Sequence, residues 1–182
     1  MGYYLKYMII SKTMIQEPKC LQRKGIADTV QHDTIIGSIS MPQTSITIRV
    51  PFHDVDSTGR IHFTAIFRYM EIAEHELRRS IGFPEATSFN DIAFPRVHVE
   101  CDFRGAIRYD DELTVEARVD RVGHSSWTVA IIVRITQEAG KIEQQGVSPL
   151  VAEGYMTMVA MDQRTERAIP LPEALRSALI SK

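Results

Sequence analysis

One stretch constrains the fold more than any other. Ile66, Met70, Ala73, Leu77 and Ile81 recur at steps of four, three, four and four, and Phe67 and Tyr69 widen the stripe. That spacing predicts an amphipathic helix of about five turns, long for a small domain. Arg68, Glu71, Glu74, His75, Arg78 and Arg79 fill the other positions and read as its polar face. Gly82 and Pro84 stop it. A single long helix must bury its stripe against something, and the chain around it offers strands.

Before the helix, Ile46, Ile48, Val50 and Phe52 alternate with Thr47, Arg49 and Pro51, a strand with one buried face. After a loop from Glu85 to Pro95, alternation returns at Val97, Val99, Cys101 and Phe103, and again from Leu113 to Val119. Trp127 to Ile135 is a denser apolar run and reads as a central strand. Leu150 to Met161 alternates with Gly154 as an interruption, and Gly123 and Gly140 sit at turns. Leu171, Ala174, Leu175 and Leu179 predict a short final helix. Strand, long helix, then four strands gives an α+β architecture: an antiparallel sheet with one central helix on one face. Its unpaired edges favour dimerisation.

The chain has 182 residues, of which 44% are apolar and 24% charged, so one globular domain is the expectation. A net charge of -2 gives no drive toward nucleic acid or anionic membranes. No apolar run approaches the length of a membrane span. Cys20 and Cys101 lack metal or redox spacing, which argues against a disulfide framework and for a reducing, cytoplasmic setting. Residues 1–40 carry no sustained period and read as an N-terminal extension or arm, with the domain at 41–182. Either Met41 is the natural start, or the arm packs on the domain.

The chemistry concentrates in Val50 to Phe63. Asp54 and Asp56 sit two residues apart; Ser57, Thr58 and Gly59 follow, and then the helix begins. Ser57 or Thr58 is the candidate cap. This order delivers a carboxylate to a helix start, where free N–H groups and the positive end of the dipole hold developing negative charge. Acyl-transfer hydrolysis needs that combination, although Asp-x-Asp also occurs in ordinary turns. His53, Asp54, Asp56 and His62 have metal-ligand chemistry but no closed metal spacing. Glu71 lies about 12 Å along the helix axis from Phe63, too far for the same reacting centre, so packing or a bond across a dimer is its expected role. No Gly-x-Ser-x-Gly elbow, P-loop or dinucleotide fingerprint occurs.

Phe52-His53-Asp54-Val55-Asp56-Ser57-Thr58-Gly59-Arg60-Ile61, followed by Ile66-Phe67-Arg68-Tyr69-Met70-Glu71, resembles the opening of hotdog-fold acyl-CoA thioesterases of the 4-hydroxybenzoyl-CoA thioesterase type. Val122-Gly123-His124-Ser125-Ser126 and Ile169-Pro170 echo the same family, and the resemblance covers roughly residues 44 to 175. It implies a sheet wrapped around the helix, a dimer or tetramer, and active sites at the dimer interface. It implies Asp56 as catalytic base or nucleophile; Asp54 itself reads as a structural residue shaping the loop, with a second catalytic carboxylate as the alternative. It also implies that the Phe63 N–H is the donor to the thioester carbonyl. His62 would touch the acyl group or assist proton transfer, against an equal case for a structural histidine. His124 and Ser125 would meet the substrate. Arg104, Arg108 and Arg121, with His124, are candidates for the phosphates of coenzyme A against the plain reading of solvated surface. No metal or organic cofactor is called for. The expected reaction is hydrolysis of an acyl-CoA thioester, with an acyl carrier protein as an alternative carrier. A hotdog hydratase or dehydratase and a non-catalytic acyl-thioester-binding module are the rival readings.

Overall fold

The computed structural model describes residues 41–84, 89, 91–140 and 148–181. The proposed extension at 1–40 lies outside the described residues, as does much of the loop after Glu85. Five long strands form one antiparallel sheet: β1 (Gln43–Arg49), β3 (Arg96–Phe103), β4 (Glu112–Val122), β5 (Ser126–Gln137) and β6 (Leu150–Val159). Their order is β1-β4-β5-β6-β3, which puts the apolar run of β5 at the centre. A small second sheet joins β2 (Ile92–Ala93), β7 (Met161–Asp162) and β8 (Arg167–Ala168). It was not expected, and β2 falls inside the segment read as a loop. Strands two residues long are too short for alternation to register.

The long helix α1 (Phe63–Ser80) lies against β1 and β4. Its stripe is buried as the spacing requires: Ile66, Met70, Ala73 and Leu77 are each at most 1% exposed. Each of the larger side chains contributes about 1.5–3 kcal/mol by leaving water. The short helix α2 (Glu173–Ile180) buries Leu175 and Leu179.

Three details correct the sequence reading. The cap of α1 is His62, whose ring accepts from the Thr64 N–H; Ser57 and Thr58 belong to the preceding turn. Gly154 does not interrupt β6, which runs through it. A Cβ there would stand 2.1 Å from the Glu100 carbonyl oxygen, so glycine is what lets β6 approach β3. Finally, Glu74 and Arg78 are not on a solvated face: they are 1% and 5% exposed. Arg78 Nε lies 2.7 Å from Glu74 Oε1, and Arg96 Nη2 of β3 lies 3.0 Å from Glu74 Oε2 and 3.1 Å from Glu71 Oε1. Glu71 is therefore packing machinery within one chain.

Candidate active site

Residues 54–62 fold as a hairpin between β1 and α1. Val55 and Ile61 form an antiparallel bridge, the His62 N–H donates to the Asp54 carbonyl at 2.8 Å, and the Asp56 N–H donates to the Arg60 carbonyl at 2.9 Å. The turn closes with the Gly59 N–H on the Asp56 carbonyl at 3.0 Å, and Gly59 has φ of +72°, which favours glycine. Two further bonds dock the hairpin region on the strip before β4: Ile61 N–H to the Ile107 carbonyl and Val50 N–H to the Asp111 carbonyl, both 2.9 Å.

Asp56 is exposed at the head of this turn. Its two side-chain hydrogen bonds both fall on Oδ1, from the Thr58 N–H at 2.7 Å and the Thr58 hydroxyl at 2.6 Å. They hold its carboxyl below the usual range. Asp56 thus stays ionised, and among the described residues Oδ2 has no hydrogen-bond partner. Asp54 is 3% exposed and has a different task. It accepts from Tyr69 Oη at 2.7 Å and from Arg68 Nη2, fastening the hairpin to the first turns of α1. Burial first, and then this bond to Asp54, pushes the Tyr69 phenol well above its ordinary range. The loop-shaping expected of Asp54 is carried out through the helix, by way of Arg68 and Tyr69.

Phe63 opens α1 with its ring 55% exposed. Among the described residues its N–H has no acceptor, as expected of a first-turn amide. His62 caps the helix through one ring nitrogen: Nδ1 lies 2.8 Å from Thr64 Oγ1, and its ring is 4.7 Å from that of Phe63. His62 follows Asp56 by two pairs of the hairpin ladder, about 7 Å at strand rise. Asp56, His62 and the Phe63 amide therefore share one small region.

His124 and Ser125 do not join them within one chain. They sit in the turn between β4 and β5, beside the Val122–Trp127 pair, whereas the hairpin follows the opposite end of β4, where Arg49 pairs with Glu112. The length of β4 separates the two by about 30 Å. Arg104 is committed to Glu153 and Asp102, with Arg104 Nη2 at 2.9 and 3.0 Å from them. Arg121 and Arg108 are exposed. Among the described residues no group of three or more His, Cys, Asp or Glu is placed to hold a metal.

Asp111 was missed by the sequence reading. It is buried, and its carboxylate accepts the Arg108 N–H at 2.7 Å and the Ala139 N–H at 2.9 Å, fixing the strip that supports the hairpin. Its one sequence signal was a carboxylate at the mouth of a strand beside a second one, Asp110.

The chain matches the family described as the Thioesterase superfamily over residues 58–140. It is 25% identical over 143 residues to a 1,4-dihydroxy-2-naphthoyl-CoA hydrolase of Synechococcus sp. (strain CC9605), covering 75% of this chain and 89% of the relative. A protein of Aquifex aeolicus named as an esterase is 31% identical over 87 residues, 47% of this chain and 67% of the relative. Among solved structures, a 4-hydroxybenzoyl-CoA thioesterase, an aspartate-to-asparagine variant with 4-hydroxybenzoyl-CoA bound, superposes with a TM-score of 0.66 at 21% identity, covering 76% of this chain and 99% of that one. That likeness fixes the fold. With a carboxylate hairpin leading into one long helix and the sheet wrapped around it, the chain belongs to the thioesterase superfamily and has its hotdog fold.

Proposed function

We propose that the protein hydrolyses an acyl-CoA thioester to a carboxylic acid and free coenzyme A. The observation that carries this is the pairing of an exposed, ionised Asp56, with Oδ2 uncommitted, and an acceptor-free Phe63 N–H at the start of α1. Water held by Asp56 attacks the thioester carbon. The carbonyl oxygen takes up negative charge against the Phe63 amide and the helix dipole, where one such donor contributes on the order of 3 kcal/mol. Collapse expels the thiolate. The relatives named as hydrolases of dihydroxynaphthoyl-CoA and the thioesterase holding 4-hydroxybenzoyl-CoA support an aromatic acyl group. A reducing, cytoplasmic compartment suits Cys101, a free thiol whose pKa is pushed up to about 11, chiefly by burial.

We further infer that the working unit is at least a dimer through β3. This edge strand runs from the His124 end of the sheet at Arg96 to the hairpin end at Phe103, and it exposes Val97 and Phe103. Antiparallel pairing of two β3 edges about a two-fold would bring His124 and Ser125 of a second copy to the same end of the joined sheet as Asp56 of the first. That arrangement would reconcile their distance within one chain with a shared role toward substrate.

Asp56→Asn tests the chemistry. Asparagine Oδ1 can still accept both Thr58 bonds, so the turn survives while the charge is lost. Thiol release from a panel of aromatic and aliphatic acyl-CoA compounds should fall by about 100- to 10,000-fold, with an unchanged thermal midpoint. Undiminished turnover would remove Asp56 from the mechanism. An enoyl-CoA whose absorbance changes without thiol release would point to a hydratase.

A further inference from the structure

Two pairs of exposed residues lie beside the Asp56 turn without serving it. Arg60 and Arg108 face each other in an isolated antiparallel bridge, locked by the adjacent Ile61-to-Ile107 bond of 2.9 Å. Like charges directly opposite on a ladder repel. Yet among the described residues neither guanidinium has a carboxylate or other acceptor. Nearby arginines do: Arg49 reaches Glu112 at 2.8 Å and Arg104 reaches Glu153 at 2.9 Å. One residue along the chain from Arg108, Tyr109 meets Phe52 edge to face with centroids 5.8 Å apart, and the two are 50% and 76% exposed. Reciprocal bonds clamp their two segments: Asp110 N–H to the Val50 carbonyl at 3.0 Å and Val50 N–H to the Asp111 carbonyl at 2.9 Å. The loops thus hold two unneutralised cations and an apolar ring pair rigidly at the surface.

An anion attached to a flat ring would relieve both features. Guanidinium forks match phosphate oxygens, and aromatic faces take a purine. We propose that Arg60, Arg108, Phe52 and Tyr109 receive the nucleotide end of coenzyme A, with its phosphates on the two arginines and its adenine on the aromatic pair. This rests on the thioesterase reading above and adds the carrier that the thioester rides on. The reach fits. Arg60 is across the turn from Asp56 and Arg108 is one strand further, so two interstrand spacings, about 10 Å, plus an extended arginine side chain separate the carboxylate from the phosphates. A pantetheine arm spans that gap. A protein-borne thioester has no adenine, so the site would select coenzyme A over an acyl carrier protein.

Adenosine 3′,5′-bisphosphate, titrated calorimetrically into the full-length protein, reads this site without any turnover. Wild type should bind it, R60Q/R108Q should bind it at least tenfold more weakly, and F52A/Y109A should also lose affinity. R60K/R108K, which keeps charge but not the planar fork, should fall between. In kinetics, the ratio of kcat/KM for an acyl-CoA to that for the same acyl group on pantetheine should drop at least tenfold in R60Q/R108Q, through KM. A wild-type isotherm without binding overturns the proposal whether or not any variant folds, and so does an unchanged ratio in a folded R60Q/R108Q protein. Nucleotide binding without hydrolysis of either thioester would instead sink the thioesterase reading and leave this site standing.

Discussion

The turn that Asp56 anchors and the base role proposed for it pull its proton affinity in different directions. As the anchor of a tight turn it accepts two bonds from Thr58, and these favour the charged form. As a base it would be strongest with a pKa near the working pH. The turn wins in the free chain: the carboxyl stays below its ordinary 3.8. Because the folded value is depressed, any stability it lends is present above the unfolded value and is lost as pH falls through the folded one. The same sign governs activity. The acid limb of kcat/KM reports the essential base of the free enzyme, so that limb should lie below about pH 4, in the carboxylate range. A pH–rate series over an acid-stable interval checks it. A limb well above the carboxylate range would take the base role from Asp56 and leave it a turn residue.

At the scale of elements, the stripe of α1 and the alternation of four long strands were legible because burial on one face leaves a periodic mark. The polar positions of α1 carried no such mark. Glu74 and Arg78 look solvated in sequence, yet Arg96 arrives from β3 and makes a buried ion cluster possible; that partner is distant in sequence. The helix start was misplaced for a related reason. Thr58 is a good cap by type, but Asp56 claims it for a hairpin, and His62 caps instead. The Asp-x-Asp stretch was legible as a site, though only the fold separates a buried Asp54 from an exposed Asp56. Gly154 shows the limit most sharply: its meaning is the Glu100 carbonyl on a neighbouring strand. Gly154→Ala should therefore push β3 from β6 and cost about 2 kcal/mol or more, read as a lower denaturation midpoint. A variant as stable as wild type would mean the two strands separate freely.

For the whole molecule, the decisive fact is that one chain keeps Asp56 and His124 at opposite ends of its sheet. A site that needs both must draw them from two copies, and in the dimer proposed above antiparallel pairing of the β3 edges would supply the exchange of ends. Two defects can then be played against each other. Asp56→Asn and His124→Ala homodimers each have two impaired sites. Co-refolded as an equal mixture, half the dimers are hybrids. In a hybrid one site carries both defects and the other carries neither, so the mixture should recover about a quarter of wild-type thiol release. Val97→Glu with Phe103→Glu, which charges the exposed β3 edge, should give monomers by light scattering and abolish that recovery. If Asp56 and His124 instead acted within one chain, every chain in the mixture would carry a defect of its own, and mixing would restore nothing.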